Sequence, residues 1–240
     1  MSSLKHKNVL VVGGSEGIGL AVAQAAQAAG AQVYVASRSE HKLTKASAVL
    51  GSSALTFPVD FTDESSVQRL FQHLPAVDHL IITAIAKTEA RRVADLSVAE
   101  AQMWFAAKFW GAYTVVRHAL PKLATDGSIT LFSGNFSVRP SQGWSVLASA
   151  NGAIESFGRS LAVELAPVRV NVIRPGLVQT PAYSEMPAEA RREMFQQYES
   201  VVPARKAGLP EEIAQAVVFA ITNPYMTGSV LTLDGGARLV

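Results

Sequence analysis

"NVLVVGGSEGIGLAVAQAAQAAG", residues 8–30, sets three unlike textures end to end. The opening run is unbroken and apolar, which suits a strand buried on both faces. Gly13, Gly17 and Gly19 follow, and then an alanine-rich stretch that closes on Gly30, a common helix stop. Strand, glycine turn and helix in direct succession make the first unit of a parallel α/β fold. Glycines there tolerate positive φ and leave room for a phosphate to reach the backbone. The helix start behind them offers unpaired N–H groups and a positive dipole end to a pyrophosphate. Glycines alone say little; in this context they are a nucleotide-binding signal.

Outward from that unit the alternation continues. "AQVYVASR", "ALTFPVD", "VDHLIITAI", "GSITLFSG", "VRVNVIRPG" and "SVLTLDGG" read as strands two to seven. Between them lie the helical stretches "EHKLTKASAVL", "TDESSVQRLFQHL", residues 97–123 as one helix, "WSVLASANGAIESFGRSLAVELA" and "PEEIAQAVVFAIT". The pattern predicts a single doubly wound Rossmann-type α/β domain over residues 1–240. Its sheet is seven-stranded, mostly parallel and flanked by helices, with any ligand at the carboxyl ends of the strands. No repeat, low-complexity tract or interdomain linker interrupts it.

Composition agrees. The chain has 240 residues, 49% of them hydrophobic and 17% charged, enough for one substantial core. A net charge of +2 without a long Lys/Arg run gives no surface for nucleic acid or membrane. Cysteine is absent, which excludes disulfides and thiolate chemistry, and the five histidines are scattered, so no metal site is expected. No apolar run is long enough for a leader or a membrane span, and a cytoplasmic protein is the expectation.

The end of the second strand bears on the cofactor. A fold selecting NAD usually has an acid about 20 residues past the glycines, to hold the ribose hydroxyls. Here Ser37 and Arg38 stand there. A guanidinium fork suits a 2′-phosphate, and Ser15 and Ser37 can donate beside it. Glu16 opposes a phosphate by charge. The expected cofactor is NADP(H).

The motifs together resemble the short-chain dehydrogenase/reductase family nearly end to end. "GGSEGIG" is similar to its glycine turn, "VDFTD" to its adenine-side segment, "RPGLVQTP" to its nicotinamide loop and "TGSVLTLDGG" to its last strand. The resemblance implies cofactor contacts at Gly13, Ser15, Glu16, Gly17, Ile18, Ser37, Arg38, Asp60, Phe61, Thr83, Ala84, Pro175, Gly176, Val178 and Thr180. It also implies a variable substrate loop and lid over residues 180–208, where Met186, Met194, Phe195 and Tyr198 could line an apolar pocket. Self-association as a homodimer or homotetramer, through the fourth and fifth helices and the last strand, is implied as well.

The departures fall at the chemistry. The family's proton-donating tyrosine and the lysine four residues on align with Val146 and Ala150, and its NNAG segment with Ile82, Thr83, Ala84 and Ile85. The helical asparagine falls at Lys108, and the strand-end serine at Ser133 or Gly134. Lys108 and Ser133 are therefore the candidate catalytic residues. Burial would lower the pKa of an ammonium toward useful values. Lys108 could equally replace the lost ribose contact, reach outward, or pair in a subunit interface. Asn151, about 100° round the helix from Ala150, is expected to be structural, and Tyr183 to be a lid aromatic. Tyr113, His79 and His118 point elsewhere. The reading is an NADP(H)-dependent oxidoreductase of a small carbonyl or alcohol with an atypical proton donor. The alternatives are an inactive NADP(H)-binding regulator or scaffold, and a non-redox lyase or isomerase.

Overall fold

The computed structural model describes residues 4–84 and 88–240. Alternate residues of the first strand, β1 (Asn8–Val12), feed two separate cores. Leu10 and Val12 pack with Leu80, Leu131, Ile154 and Val172, while Val9 and Val11 pack with Ile81, Ile173 and Ile213. A strand can serve both only when helices cover both faces of its sheet. Each such side chain contributes about 1.5–3 kcal/mol by leaving water.

The sheet holds β1, β2 (Gln32–Ser37), β3 (Leu55–Pro58), β4 (Val77–Ile82), β5 (Leu123–Phe132), β6 (Arg169–Pro175) and β7 (Val230–Leu233), in the order β3-β2-β1-β4-β5-β6-β7. Every strand pair is parallel, so the sheet is parallel throughout. Direction of winding reverses between β1 and β4, which opens a crevice at their carboxyl ends. Helices α1 (Gly17–Ala28), α2 (Glu40–Leu50) and α8 (Pro210–Thr222) pack with one core, and α3 (Glu64–His73) and α6 (Ser145–Glu164) with the other.

Residues 97–123 are not one regular helix. Ser97 and Glu100 close a reciprocal cap over α4 (Val98–Phe105), a π-helical turn spans Ala106–Trp110, and α5 (Gly111–Ala119) follows. Leu123 already belongs to β5. The lid segment folds as a 3-10 turn at Pro181–Tyr183 and a helix α7 (Ala188–Val201).

Candidate active site

Gly13 ends β1 with φ +89, and a Cβ there would stand 2.5 Å from the Ala84 nitrogen. The tip of β4 thus lies directly against the turn, where Thr83 Oγ1 donates to the Val12 and Gly13 carbonyls at 3.2 and 3.1 Å. Gly17 opens α1 with φ +54. No side chain caps that helix and no acid occupies its first turn, so its leading N–H groups are open to a ligand.

These elements wall a cleft of about 270 Å³. Of the expected cofactor contacts, Gly13, Ser15, Glu16, Gly17, Ile18, Ser37, Arg38, Phe61, Thr83, Ala84 and Thr180 line it. Four do not. Asp60 turns its carboxylate onto Thr62, accepting from the backbone N at 2.9 Å and from Oγ1 at 2.6 Å, bonds that hold its pKa below the usual range. Val178 is buried and bridged to Gly208 as a structural pair. Pro175 and Gly176 line a neighbouring cavity instead.

Glu16 does not face the cleft as a bare charge. Lys42 Nζ lies 2.5 Å from its carboxylate and lines the same cleft. Ser39 caps α2 by accepting from the Lys42 nitrogen, which fixes that lysine on the first helical turn. Sequence reading missed Lys42; a cap residue followed by a cation, just past Arg38, was the available signal. Ser15 donates to Ser37 at 2.8 Å beside Arg38. An uncapped helix start with a cluster of two cations and two hydroxyls fits the pyrophosphate and 2′-phosphate of NADP(H).

The neighbouring cavity, about 630 Å³, adjoins the cleft along two stretches of chain: Phe132 lines one and Ser133 the other, as do Ala182 and Tyr183. The helical pair facing it is Leu147 and Asn151, one residue beyond the expected Val146 and Ala150. Ala150 is fully buried and Val146 lines a groove against α4. Asn151 is thus a wall of the cavity rather than a remote structural residue. No tyrosine or lysine stands at either pair of positions. Gly134 lets this wall close in, since a Cβ there would meet the Asn151 side chain at 3.0 Å.

Three buried polar atoms at the cavity, Ser133 Oγ, Asn135 Oδ1 and Asn151 Oδ1, have no hydrogen bond of good geometry; the Ser133 hydroxyl only weakly touches the Glu155 carboxylate. Unpartnered buried polar atoms are costly and mark places where a ligand supplies the missing bonds. Beneath them Glu155 accepts from Arg174 Nε at 2.9 Å and from Ser137 Oγ at 2.6 Å. Burial alone would raise this carboxyl's pKa, but those bonds and the guanidinium charge hold it below the usual range.

Lys108 sits on the π-helical turn, buried, with Nζ 3.5 Å from the Ser133 carbonyl oxygen. Burial without a counter-ion lowers its pKa to about 8. It does not reach outward, and among the described residues no acid pairs with it.

Met194 and Tyr198 line the cavity with Tyr183, whereas Phe195 packs edge-on to Tyr183 at 5.7 Å, and Met186 is not in the lining. The Tyr198 hydroxyl donates to the Asp234 carbonyl at 2.9 Å, and burial raises the pKa of both phenols. Phe136 forms another wall and stacks on Trp144 at 5.0 Å. His79 is buried against Ser128, His118 meets Glu64 at 2.9 Å, and Tyr113 joins an aromatic cluster with Trp110 and Phe157. Among the described residues no three acid or histidine side chains gather as a metal site. Ile85 lies outside the described residues.

Comparisons with known proteins give the family. A family model described as enoyl-(acyl carrier protein) reductase matches residues 12–238. A short-chain dehydrogenase/reductase of Stachybotrys chlorohalonatus is 32% identical, with 100% of each chain covered. Human 3-oxoacyl-(acyl-carrier-protein) reductase is 31% identical over 96% of this chain and 97% of its own. A small-chain dehydrogenase solved in complex with NADPH superposes with a TM-score of 0.86 at 40% identity, covering 98% of this chain and 99% of that one. The reductase/Diels–Alderase MalC of Malbranchea aurantiaca gives 0.92 at 27% identity, covering 99% and 98%. Glycine turn, parallel sheet and end-to-end relatives converge: the chain belongs to the short-chain dehydrogenase/reductase family.

Proposed function

We propose that the protein is an NADP(H)-dependent oxidoreductase that reduces a small carbonyl compound, or runs the reverse, with Lys108 as proton donor. The observation that carries the reading is a phosphate-receptive cleft opening beside a cavity with a buried, unpaired ammonium behind its wall. NADPH, when bound, supplies the hydride. The Ser133 hydroxyl and the Asn151 amide hold the substrate oxygen. The Lys108 ammonium, with its pKa lowered to about 8 and Nζ at the Ser133 backbone carbonyl, gives up a proton that water carries to this oxygen past the Ser133 hydroxyl. The solved NADPH complex of a relative supports the cofactor assignment. The apolar face with exposed Val98, Met103 and Trp110 supports self-association.

The test is nicotinamide absorbance with purified protein, NADPH and a panel of carbonyl compounds. Lys108→Met is expected to lower kcat by about 10²–10⁴, the usual worth of a positioned acid, with NADPH affinity retained. Wild-type kcat is expected to be high below pH about 8 and to decline above it, as the ammonium loses its proton; the variant profile is flat there. A second reading has its own support. Leu147 at the cavity wall offers no proton, which suits a protein that binds NADP(H) without turnover, or one acting outside redox chemistry. Tight NADPH binding with no hydride loss to any carbonyl compound would favour it.

A further inference from the structure

Arg139 is the one charged side chain among the residues lining the 630 Å³ cavity. Among the described residues no carboxylate lies within ion-pair distance of it, whereas Arg91, Arg174 and Arg238 each hold one. Arg38, in the nucleotide cleft, likewise has no carboxylate at ion-pair distance among the described residues. We propose that Arg139 selects substrates that carry an anionic oxyacid group, a carboxylate or a phosphate, apart from the reacting carbonyl. The inference deepens the oxidoreductase reading and rests on it for the word substrate.

The loop that carries Arg139 is fixed in advance. Its backbone N donates to the Asn135 carbonyl at 2.8 Å, and Ser137 N donates to the Gly134 carbonyl at 3.2 Å. Ser137 Oγ anchors this curl to the buried Glu155, itself clamped by Arg174. A backbone already fixed loses less freedom on binding, and a guanidinium matches carboxylate and phosphate geometry with paired bonds. The Tyr198 phenol lines the same cavity as Arg139. Phe136, Pro140, Leu147, Leu177, Met194 and Val201 make much of the remaining wall apolar, beside Ser141 and Gln197. Of the unpartnered polar atoms there, the Ser133 hydroxyl can donate to a carbonyl oxygen, and the Asn135 and Asn151 Oδ1 atoms can accept from the hydroxyl of the reduced form. The occupant that satisfies all three features has a polar reacting end, an aliphatic middle and an anionic group.

The experiment is calorimetric titration of hexanoate, hexyl phosphate and the neutral hexanamide, with and without saturating NADP+. One or both anions are expected to bind about ten- to a hundredfold more tightly than hexanamide, the range for a charged hydrogen bond. Which anion binds better names the group. Arg139→Gln is expected to abolish the preference, and Arg139→Lys to retain part of it, with unchanged NADP+ affinity and melting temperature. Equal affinity for hexanamide and both anions, or a preference that survives Arg139→Gln, overturns the proposal. Arg139-dependent selectivity in a protein that binds no NADP+ would leave the proposal standing and remove the oxidoreductase reading. NADPH turnover with no preference for anionic over neutral carbonyls would do the reverse.

Discussion

At the scale of single residues, the register of α6 decides what the site can do. Leu147 and Asn151 share the face toward Ser133, while Ala150 is sealed in the interior. The double substitution Leu147→Tyr with Asn151→Lys is therefore expected to fold and to raise carbonyl reduction at least tenfold, read by NADPH consumption. Val146→Tyr with Ala150→Lys puts an ammonium where no atom is exposed, and is expected to cost several kcal/mol of stability, read by urea unfolding. The opposite ranking would move the site-facing pair back by one residue. Sequence reading reached Lys108, and Ser133 or Gly134, through the family resemblance; Ser133 and Gly134 both line the cavity, and Lys108 is buried behind it. The same reading misplaced the α6 pair because between Ser133 and the helix lies an irregular turn, where spacing carries no period. Arg139 belongs to that same turn, and its lack of a partner is visible only once the surrounding acids have positions.

At the scale of elements, the helix after β4 packs on the nucleotide cleft at Gly111. A Cβ on Gly111 would come within 2.4 Å of the Phe61 ring, and Phe61 lines the cleft. Gly111→Ala forces α5 and the ring apart. Overpacking of this kind costs about 1–3 kcal/mol, so a lower melting temperature and several-fold weaker NADPH binding are expected, by calorimetry. Unchanged binding would show that Phe61 moves freely. The existence of these helices was legible from their apolar faces and caps. The π-helical turn was not, because its residues Ala106–Trp110 continue the apolar pattern without a proline or glycine to mark the widening. The strand–helix alternation was legible from residues 8–30 onward, since buried parallel strands leave continuous apolar runs.

At the scale of the whole molecule, the sheet contains a pH-dependent weakness far from the site. Burial lowers the pKa of His79 from 6.5 to about 4, with Nδ1 2.8 Å from Ser128 Oγ. The unfolded chain binds this proton first as pH falls. Stability is therefore complete above pH about 6.5 and is lost toward pH 4, by about 3 kcal/mol at 1.36 kcal/mol per unit. His79→Gln is expected to flatten that part of the profile, measured as unfolding free energy against pH. A variant as steep as wild type would place the weakness elsewhere. The stack of Phe136 on Trp144 has a use on the same scale. One of its rings faces the cavity and the other is an indole just outside, at the start of α6. Occupancy of the chamber is thereby coupled to a native fluorophore, and the folded chain carries its own optical gauge of filling.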